Sequence, residues 1–300
     1  MMPAGLVAAS IAVVVLMPAV RAQSAQPLSG NVTLVGDYRF RGVSQTYTEP
    51  ALQGGLEYAS TRGPYLGAWG SNVSGNQFLN GGSLELDLYG GYRGTFGKLG
   101  LDLGTQYYWY PGARYNIDPG DGYNTLEFYV GARYEPFTAK YSHAVTNLFG
   151  MKTSTVGGYC GINTDGTPAT ADCLGTGSTK GSGYLDLGAA FDVVLGVNLT
   201  LHYGYQSVRN YPDLSYADYK VGLTRQFGGI TLGAGAVGTN AESRFYRYTP
   251  TTAGSQETVD VAGSTIVLSA SKAFWKFVLG TGSRGPRPAV LLRKQREKPT

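Results

Sequence analysis

Only two histidines occur in this 300-residue chain, and with neighbouring hydroxyl or carboxyl side chains they are the first candidates for acid-base or nucleophilic chemistry. His143 directly follows Ser142. Neighbouring residues of a strand point to opposite faces, so these two cannot form a hydrolase dyad within one strand. His202 lies on the polar face of its predicted strand, as described below, and this face points away from any lipid substrate. We therefore predict that the protein is not an enzyme and has no catalytic residues.

Other motifs resemble ligand sites only in part. The segment NTDG at 163–166 lacks the spaced acidic set and closing Glu of a calcium loop, so we interpret it as a turn. No helix follows the glycines near 90 and 233, so they cannot form a phosphate-binding loop. Glu85 and Asp87 could pair for acid-base chemistry, although mixed charges inside a barrel more often form a network or tune ion passage. The sequence predicts no cofactor and no metal.

Residues 83–110 show which elements must position these groups. Leu84 and Leu86 share one face of a period-two pattern, and Glu85 and Asp87 share the other. A glycine-rich turn separates this run from a second alternating run, which predicts a long β-hairpin. In a soluble sandwich the polar face would meet water outside, whereas in a membrane barrel it would line the lumen.

The connections between strands decide between these two folds. We predict twelve strands, at about 31–41, 50–60, 65–72, 83–93, 98–109, 124–134, 137–145, 182–193, 197–206, 216–226, 230–239 and 265–274. The segments that join them are alternately long and short, and Thr146–Gly181 and Asn240–Ser264 are the longest. Outer-membrane barrels have short periplasmic turns and longer extracellular loops. The fold class is therefore predicted as all-β, a single antiparallel transmembrane β-barrel.

Composition agrees with a β protein whose strands are apolar on one side. The chain has 45 Gly and 23 Tyr, and its hydrophobic fraction is 42%. No internal run reaches the roughly 18 apolar residues of a transmembrane helix. The formal net charge of +4 comes from residues 275–300, so it does not indicate nucleic-acid binding by the rest of the chain.

The N-terminal residues are predicted to be removed on export, and the C-terminal residues are predicted to form a tail beyond the barrel. Residues 1–22 are predicted to be a signal peptide, 23–30 a linker, 31–274 the barrel and 275–300 a basic disordered tail. The tail abandons the strand pattern, so we interpret it as a frameshift or readthrough product, or as a native periplasmic extension. Export implies an oxidising compartment, so Cys160 and Cys173, which share one loop, are predicted to form a disulfide.

The polar parity of the strands predicts which residues face the lumen. Charges on the lipid face would cost about 2–4 kcal/mol each at mid-bilayer. Strand three is ambiguous, because Tyr65 and Trp69 could face either way. We expect aromatic girdles at the outer rim (Tyr38, Phe40, Tyr107, Trp109, Tyr203, Tyr205) and the inner rim (Tyr134, Phe137, Phe274). The predicted pore-lining residues are Asp37, Arg39, Arg41, Glu57, Glu85, Asp87, Arg93, Asp102, Glu127, Arg133, Lys140, Asp186, Asp192, His202, Asp218 and Lys220.

Several segments of the chain resemble the TorF-like porin family of proteobacterial outer-membrane proteins. They are NVTLVGDYRFRGVSQT (31–46), PALQGGLEY (50–58), GPYLGAWGSNV (63–73), LELDLYGGYRG (84–94), YYWYPG (107–112) and LEFYVGARYEPFTAKYS (126–142). The resemblance covers most of 31–274 and implies a pore-forming outer-membrane barrel without catalytic residues. The cysteine-containing loop resembles an insertion, and such proteins are expected to end near Phe274.

The sequence therefore predicts a barrel in the bacterial outer membrane, in contact with its lipid. We expect a passive channel for small polar solutes or ions. The alternative is a non-conducting barrel whose extracellular loops bind a partner or a surface. Because the predicted lumen charges are mixed in sign, ion selectivity is not predicted, and neither is the oligomeric state.

Overall fold

Twelve antiparallel strands close into a barrel in the computed structural model, which describes residues 28–115, 120–249 and 258–274. Each strand pairs with its neighbours in the chain, and β1 pairs with β12 to close the barrel, where Gly30 lies opposite Phe274. This confirms the predicted fold class. The barrel strands are β1 (Leu28–Val35), β2 (Ala51–Ala59), β3 (Pro64–Asn72), β4 (Leu84–Phe96), β5 (Leu99–Trp109), β6 (Thr125–Tyr134), β7 (Phe137–Ala144), β8 (Gly183–Asp192), β9 (Val197–Ser207), β10 (Tyr216–Phe227), β11 (Ile230–Thr239) and β12 (Thr265–Phe274).

Strand bounds agree with the sequence prediction to within one residue except in β1 and in β4, which continues to Phe96 and not to 93 as predicted. Strand β1 begins at Leu28, inside the predicted linker 23–30, because Leu28 already pairs with Tyr58 of β2. It ends at Val35, whereas the sequence predicted a strand as far as 41. The predicted signal peptide and tail lie outside the described residues.

Residues 36–50, which we call the inserted hairpin, connect β1 to β2. Arg39–Phe40 pairs with Val43–Ser44 in a two-stranded ribbon. Arg41 and Gly42 form its turn with φ of 48° and 80°, a conformation that glycine adopts without strain. The sequence prediction failed here because Arg39 and Arg41 continue the period-two alternation of β1, although their strand pairs within the hairpin and not with the barrel wall.

Large apolar side chains dominate the outer face of the wall, and most charged strand residues face inward. Leu66 is 67% exposed on the outside, whereas its neighbour Tyr65 is 5% exposed inside the barrel. Trp69 also faces inward, which settles the orientation of β3. Two basic residues, Arg225 and Lys272, have the outward parity close to the short-turn end of the barrel. Charges cost least in this position, near the edge of an apolar band.

The predicted aromatic girdles are partly wrong. Tyr38 and Phe40 belong to the inserted hairpin and are buried, so they cannot face outward from β1. Trp109, Tyr203 and Tyr205 do face outward near the long-loop end of the barrel. Tyr107 lies on the same face of its strand as Trp109 but is half-buried. At the short-turn end the predicted Tyr134, Phe137 and Phe274 are all exposed.

The long connections pack together into a cap over one end of the barrel. Leu148, Leu174, Tyr211 and Phe245 meet in one apolar cluster above β7 and β9. Cys160 and Cys173 form a disulfide within the connection between β7 and β8. The cap therefore has a core of its own and is not a set of extended loops. Among residues 28–115, 120–249 and 258–274, no helix has the length and apolar character needed to cross a membrane.

Candidate functional site in the barrel lumen

The tip of the inserted hairpin crosses the lumen near the long-loop end. The Arg41 guanidinium donates to Glu127 Oε2 on β6 at 2.7 Å and to Gln206 Oε1 on β9 at 2.6 Å. It also lies 4.2 Å above the ring of Tyr184 on β8. Burial by itself would lower the pKa of Arg41, but the adjacent Glu127 carboxylate raises it overall, so Arg41 stays charged. One buried cation therefore links the hairpin to three strands of the wall.

The base of the inserted hairpin is held by an equally buried network. Asp37 accepts hydrogen bonds from Arg39 Nε and Ser44 Oγ, both at 2.6 Å. Arg39 Nη1 also donates to the carbonyl oxygens of Val261 and Gly263 at 3.0 and 2.8 Å. These residues belong to the connection between β11 and β12, so the hairpin is fixed on both sides of the barrel mouth.

A second charged network lines the lumen toward the short-turn end. Arg93 on β4 contacts Glu57 at 2.6 Å and Asp102 at 3.2 Å. The Tyr65 hydroxyl donates to Asp102 at 2.6 Å and is also hydrogen-bonded to Tyr129. The side chains of Arg93 and Asp102 are 20% and 18% exposed, so water reaches this part of the lumen.

His202 lies between two carboxylates in the middle of the lumen. Its Nδ1 is 3.3 Å from Asp186 Oδ1, and its Nε2 is 2.7 Å from Asp218 Oδ1. The Tyr184 hydroxyl donates to Asp218 at 3.0 Å. Because both ring nitrogens face carboxylates, the arrangement suits a fixed imidazolium and does not resemble an activated nucleophile. Ser142 is buried and His143 is exposed, on opposite faces of β7 as expected.

Glu85 is the most deeply buried of the predicted lumen charges, at 0% exposed, and Asp87 beside it is 5% exposed. Across the described part of the chain, no ion pair includes either carboxylate. Gln106 Nε2 on β5 donates to Asp87 Oδ2 at 2.9 Å. Tyr110, just beyond β5, lies beside Glu85, and burial together with the charges of Glu85 and Asp87 raises the pKa of its phenol well above the usual value.

The other predicted pore residues have inward parity but lie apart from these networks. Lys140 Nζ is 4.0 Å above the ring of Tyr129. Lys220 faces inward on β10, with its side chain against the backbone of Gly235. Asp192 accepts from Asn198 at 3.1 Å, and Arg133 pairs with Glu135 at 2.9 Å, both close to the short-turn end.

Sequence reasoning missed the neutral residues that complete the lumen. The predicted pore-lining residues were chosen by charge, so they did not include Gln206 or the inward-facing tyrosines, although these share that parity with the charges. Strand parity could have identified them. The tyrosines are Tyr65, Tyr89, Tyr108, Tyr129 and Tyr184.

A closed twelve-stranded barrel with an apolar outside and a polar, charged lumen defines a β-barrel of the outer-membrane type. The chain belongs to the family described as "Bacterial protein of unknown function (Gcw_chp)", which matches residues 19–274. No curated protein matches the sequence.

Similar solved structures include several outer-membrane porins and channels. The NanC porin has 8% sequence identity and a TM-score of 0.46, over 83% of this chain and 100% of that chain. The KdgM porin in complex with disordered oligogalacturonate has 6% identity and a TM-score of 0.44, over 83% of this chain and 99% of that chain. An outer membrane channel from Pseudomonas putida F1 has 13% identity and a TM-score of 0.39, over 84% and 97%.

Proposed function

We propose that the protein is a channel of the bacterial outer membrane for small polar solutes or ions. The observation that carries this proposal is the partial exposure of charged side chains inside the barrel. Arg93, Asp102 and His202 are each 17–20% exposed, and His202 lies at mid-strand. Charged side chains that are partly exposed therefore occur from the short-turn end to the middle of the lumen. Charges of both signs along such a path suit passage of polar solutes.

The orientation and targeting of the barrel are part of the same proposal. The short turns would face the periplasm and the cap of long connections would face the outside, with residues 1–22 removed as a signal peptide. The motifs quoted above support grouping the protein with the TorF-like porins. Outward-facing apolar side chains would contact the lipid directly.

A second candidate function is a non-conducting barrel whose cap binds a partner or a surface. The inserted hairpin favours it, because Arg41, Glu127 and Gln206 join the hairpin to the wall across the lumen and all three are buried. If this closure is permanent, the folded cap is the functional part. If the hairpin can move, the closure is one state of a channel.

Single-channel recording separates the two functions. Wild-type protein and the double variant Arg41→Ala/Glu127→Gln are reconstituted in planar bilayers. The variant removes the ion pair without leaving a buried charge, so we expect a higher conductance or a larger open fraction than in wild type. Arg225→Ala, an outward-facing arginine near the opposite end, is the matched control and should behave as wild type. Absence of conductance in wild type and in the double variant would favour the non-conducting barrel.

A further inference from the structure

The buried pair Glu85 and Asp87 lacks any compensating positive charge. Both residues face the lumen from alternate positions of β4. The guanidinium of Arg41 is already bound by Glu127 and Gln206. Moving an isolated carboxylate out of water costs several kcal/mol, and two adjacent carboxylates repel each other as well. The pair therefore requires either a proton or a cation.

Oxygen atoms without partners gather around this pair. Of the buried oxygens in the described ranges that lack a hydrogen bond of normal geometry, five lie here: both oxygens of Glu85, Asp87 Oδ1, Gln106 Oε1 and the hydroxyl of Tyr110, which lies beside Glu85. They come from two neighbouring strands, since Asp87 lies opposite Tyr108 in the register of β4 with β5. Gln106 and Tyr110 are 2% and 1% exposed, so water outside the barrel does not satisfy them. Unpartnered buried polar atoms are uncommon, and five together point to a missing ligand.

The chemistry of these donors identifies the class of that ligand. All five atoms are oxygens, which are the ligands of hard cations, and softer metals would need nitrogen or sulfur donors. Two carboxylates balance the charge of a divalent ion. Calcium accepts six to eight oxygens in flexible geometry, including neutral carbonyl oxygens, whereas magnesium requires a near-ideal octahedron.

We propose that Glu85, Asp87, Gln106 and Tyr110 form a calcium site inside the barrel. The site lies against the inserted hairpin, because Tyr38 packs edge-on to Trp69 of β3 and its hydroxyl adjoins Glu85. A bound ion would hold the hairpin side and the wall side of the lumen together. This proposal does not depend on conduction and applies equally to a closed barrel.

Terbium luminescence tests the site on the full-length protein in detergent after treatment with EDTA. Tyrosines adjoin the proposed ligands, so bound Tb³⁺ should emit on tyrosine excitation, saturate at one ion per chain and be displaced by Ca²⁺. The variant Glu85→Gln/Asp87→Asn should lose at least tenfold in Ca²⁺ affinity. Asp165→Asn/Asp172→Asn, two exposed acids in the cap, is the matched control and should bind as wild type.

A second measurement keeps the test decisive if the variant does not assemble. The midpoint of heat-induced unfolding of the wild-type barrel should rise with Ca²⁺ and fall with EDTA. A wild type that shows neither saturable emission nor a Ca²⁺-dependent midpoint overturns the proposal. So does a Glu85→Gln/Asp87→Asn variant that binds as wild type. The unfolding midpoint could instead rise on acidification and not change with Ca²⁺. This result would show that a proton shared by Glu85 and Asp87 supplies the compensating positive charge, and it would contradict the calcium proposal.

Discussion

The two halves of the lumen are built from the same residue types but differ in how tightly those residues are enclosed. In the long-loop half, the side chains of Arg41 and Glu127 are 1% and 3% exposed, because the inserted hairpin covers them. In the short-turn half, Arg93 and Asp102 form an equivalent pair on the wall at 20% and 18% exposed. A salt bridge that joins two separate segments inside a barrel excludes water from its surroundings. One that lies along the wall leaves room for water.

Arg41→Ala should show the largest effect of this difference. The substitution leaves Glu127 buried without its partner, and breaking a buried ion pair in this way costs about 3–5 kcal/mol. Arg93→Ala should cost less, because Asp102 is 18% exposed and water can solvate it after the change, although Glu57 is buried. Reversible unfolding in urea from lipid vesicles measures both values. An equal loss for the two variants would show that burial does not distinguish the halves.

Gly204→Ala should have an intermediate effect in the long-loop half. A Cβ at Gly204 would lie 2.1 Å from the Tyr184 hydroxyl and 2.3 Å from Asp218 Oδ2, and both groups are buried and hydrogen-bonded to each other. Displacing them should cost about 1–3 kcal/mol, the usual range for overpacking. Gly100→Ala is the matched change at the short-turn end, where the nearest atom is 3.7 Å away. The same unfolding assay should find it near wild type, and a loss like that of Gly204→Ala would contradict the comparison.

Cys160→Ser/Cys173→Ser should have the smallest effect on the barrel. The disulfide closes a short segment of the cap, and a bridge over about 15 residues stabilises by about 3 kcal/mol in the chain-entropy model. That stabilisation concerns the cap, since neither cysteine lies in a barrel strand. We expect faster proteolysis of the connection between β7 and β8 and an unchanged unfolding midpoint. A lower midpoint would mean that the cap and the barrel unfold together.

The close approach of tyrosines to lumen glycines explains the composition that the sequence shows. A Cβ at Gly67 of β3 would lie 2.3 Å from the ring of Tyr89 on β4, so the ring covers the glycine across the strand pair. Gly204 and Tyr184 repeat this arrangement on β9 and β8. The rings fill part of the lumen and reduce its open cross-section, so the strand count alone does not set the width of the lumen.

The sequence alone determined the barrel and the direction of nearly every wall residue. Side chains of a strand alternate with period two, and one face of each strand must meet apolar surroundings. The alternation of Leu84 and Leu86 with Glu85 and Asp87 therefore specifies both the strand and the face on which each side chain lies. Turn chemistry and connection lengths then set the order of strands. These are local properties that each segment carries by itself.

Only the tertiary structure decided where residues 36–50 lie. Asp37, Arg39 and Arg41 alternate as a wall strand would, and their departure from β1 depends on contacts with Glu127, Gln206 and Val261, which are distant in the chain. The glycine at 42 was the one local signal of a turn. The enclosure of Glu85 likewise depends on the hairpin that covers it. Alternation specifies the face on which a side chain lies, whereas its burial and its partners depend on segments that meet only after the barrel has closed.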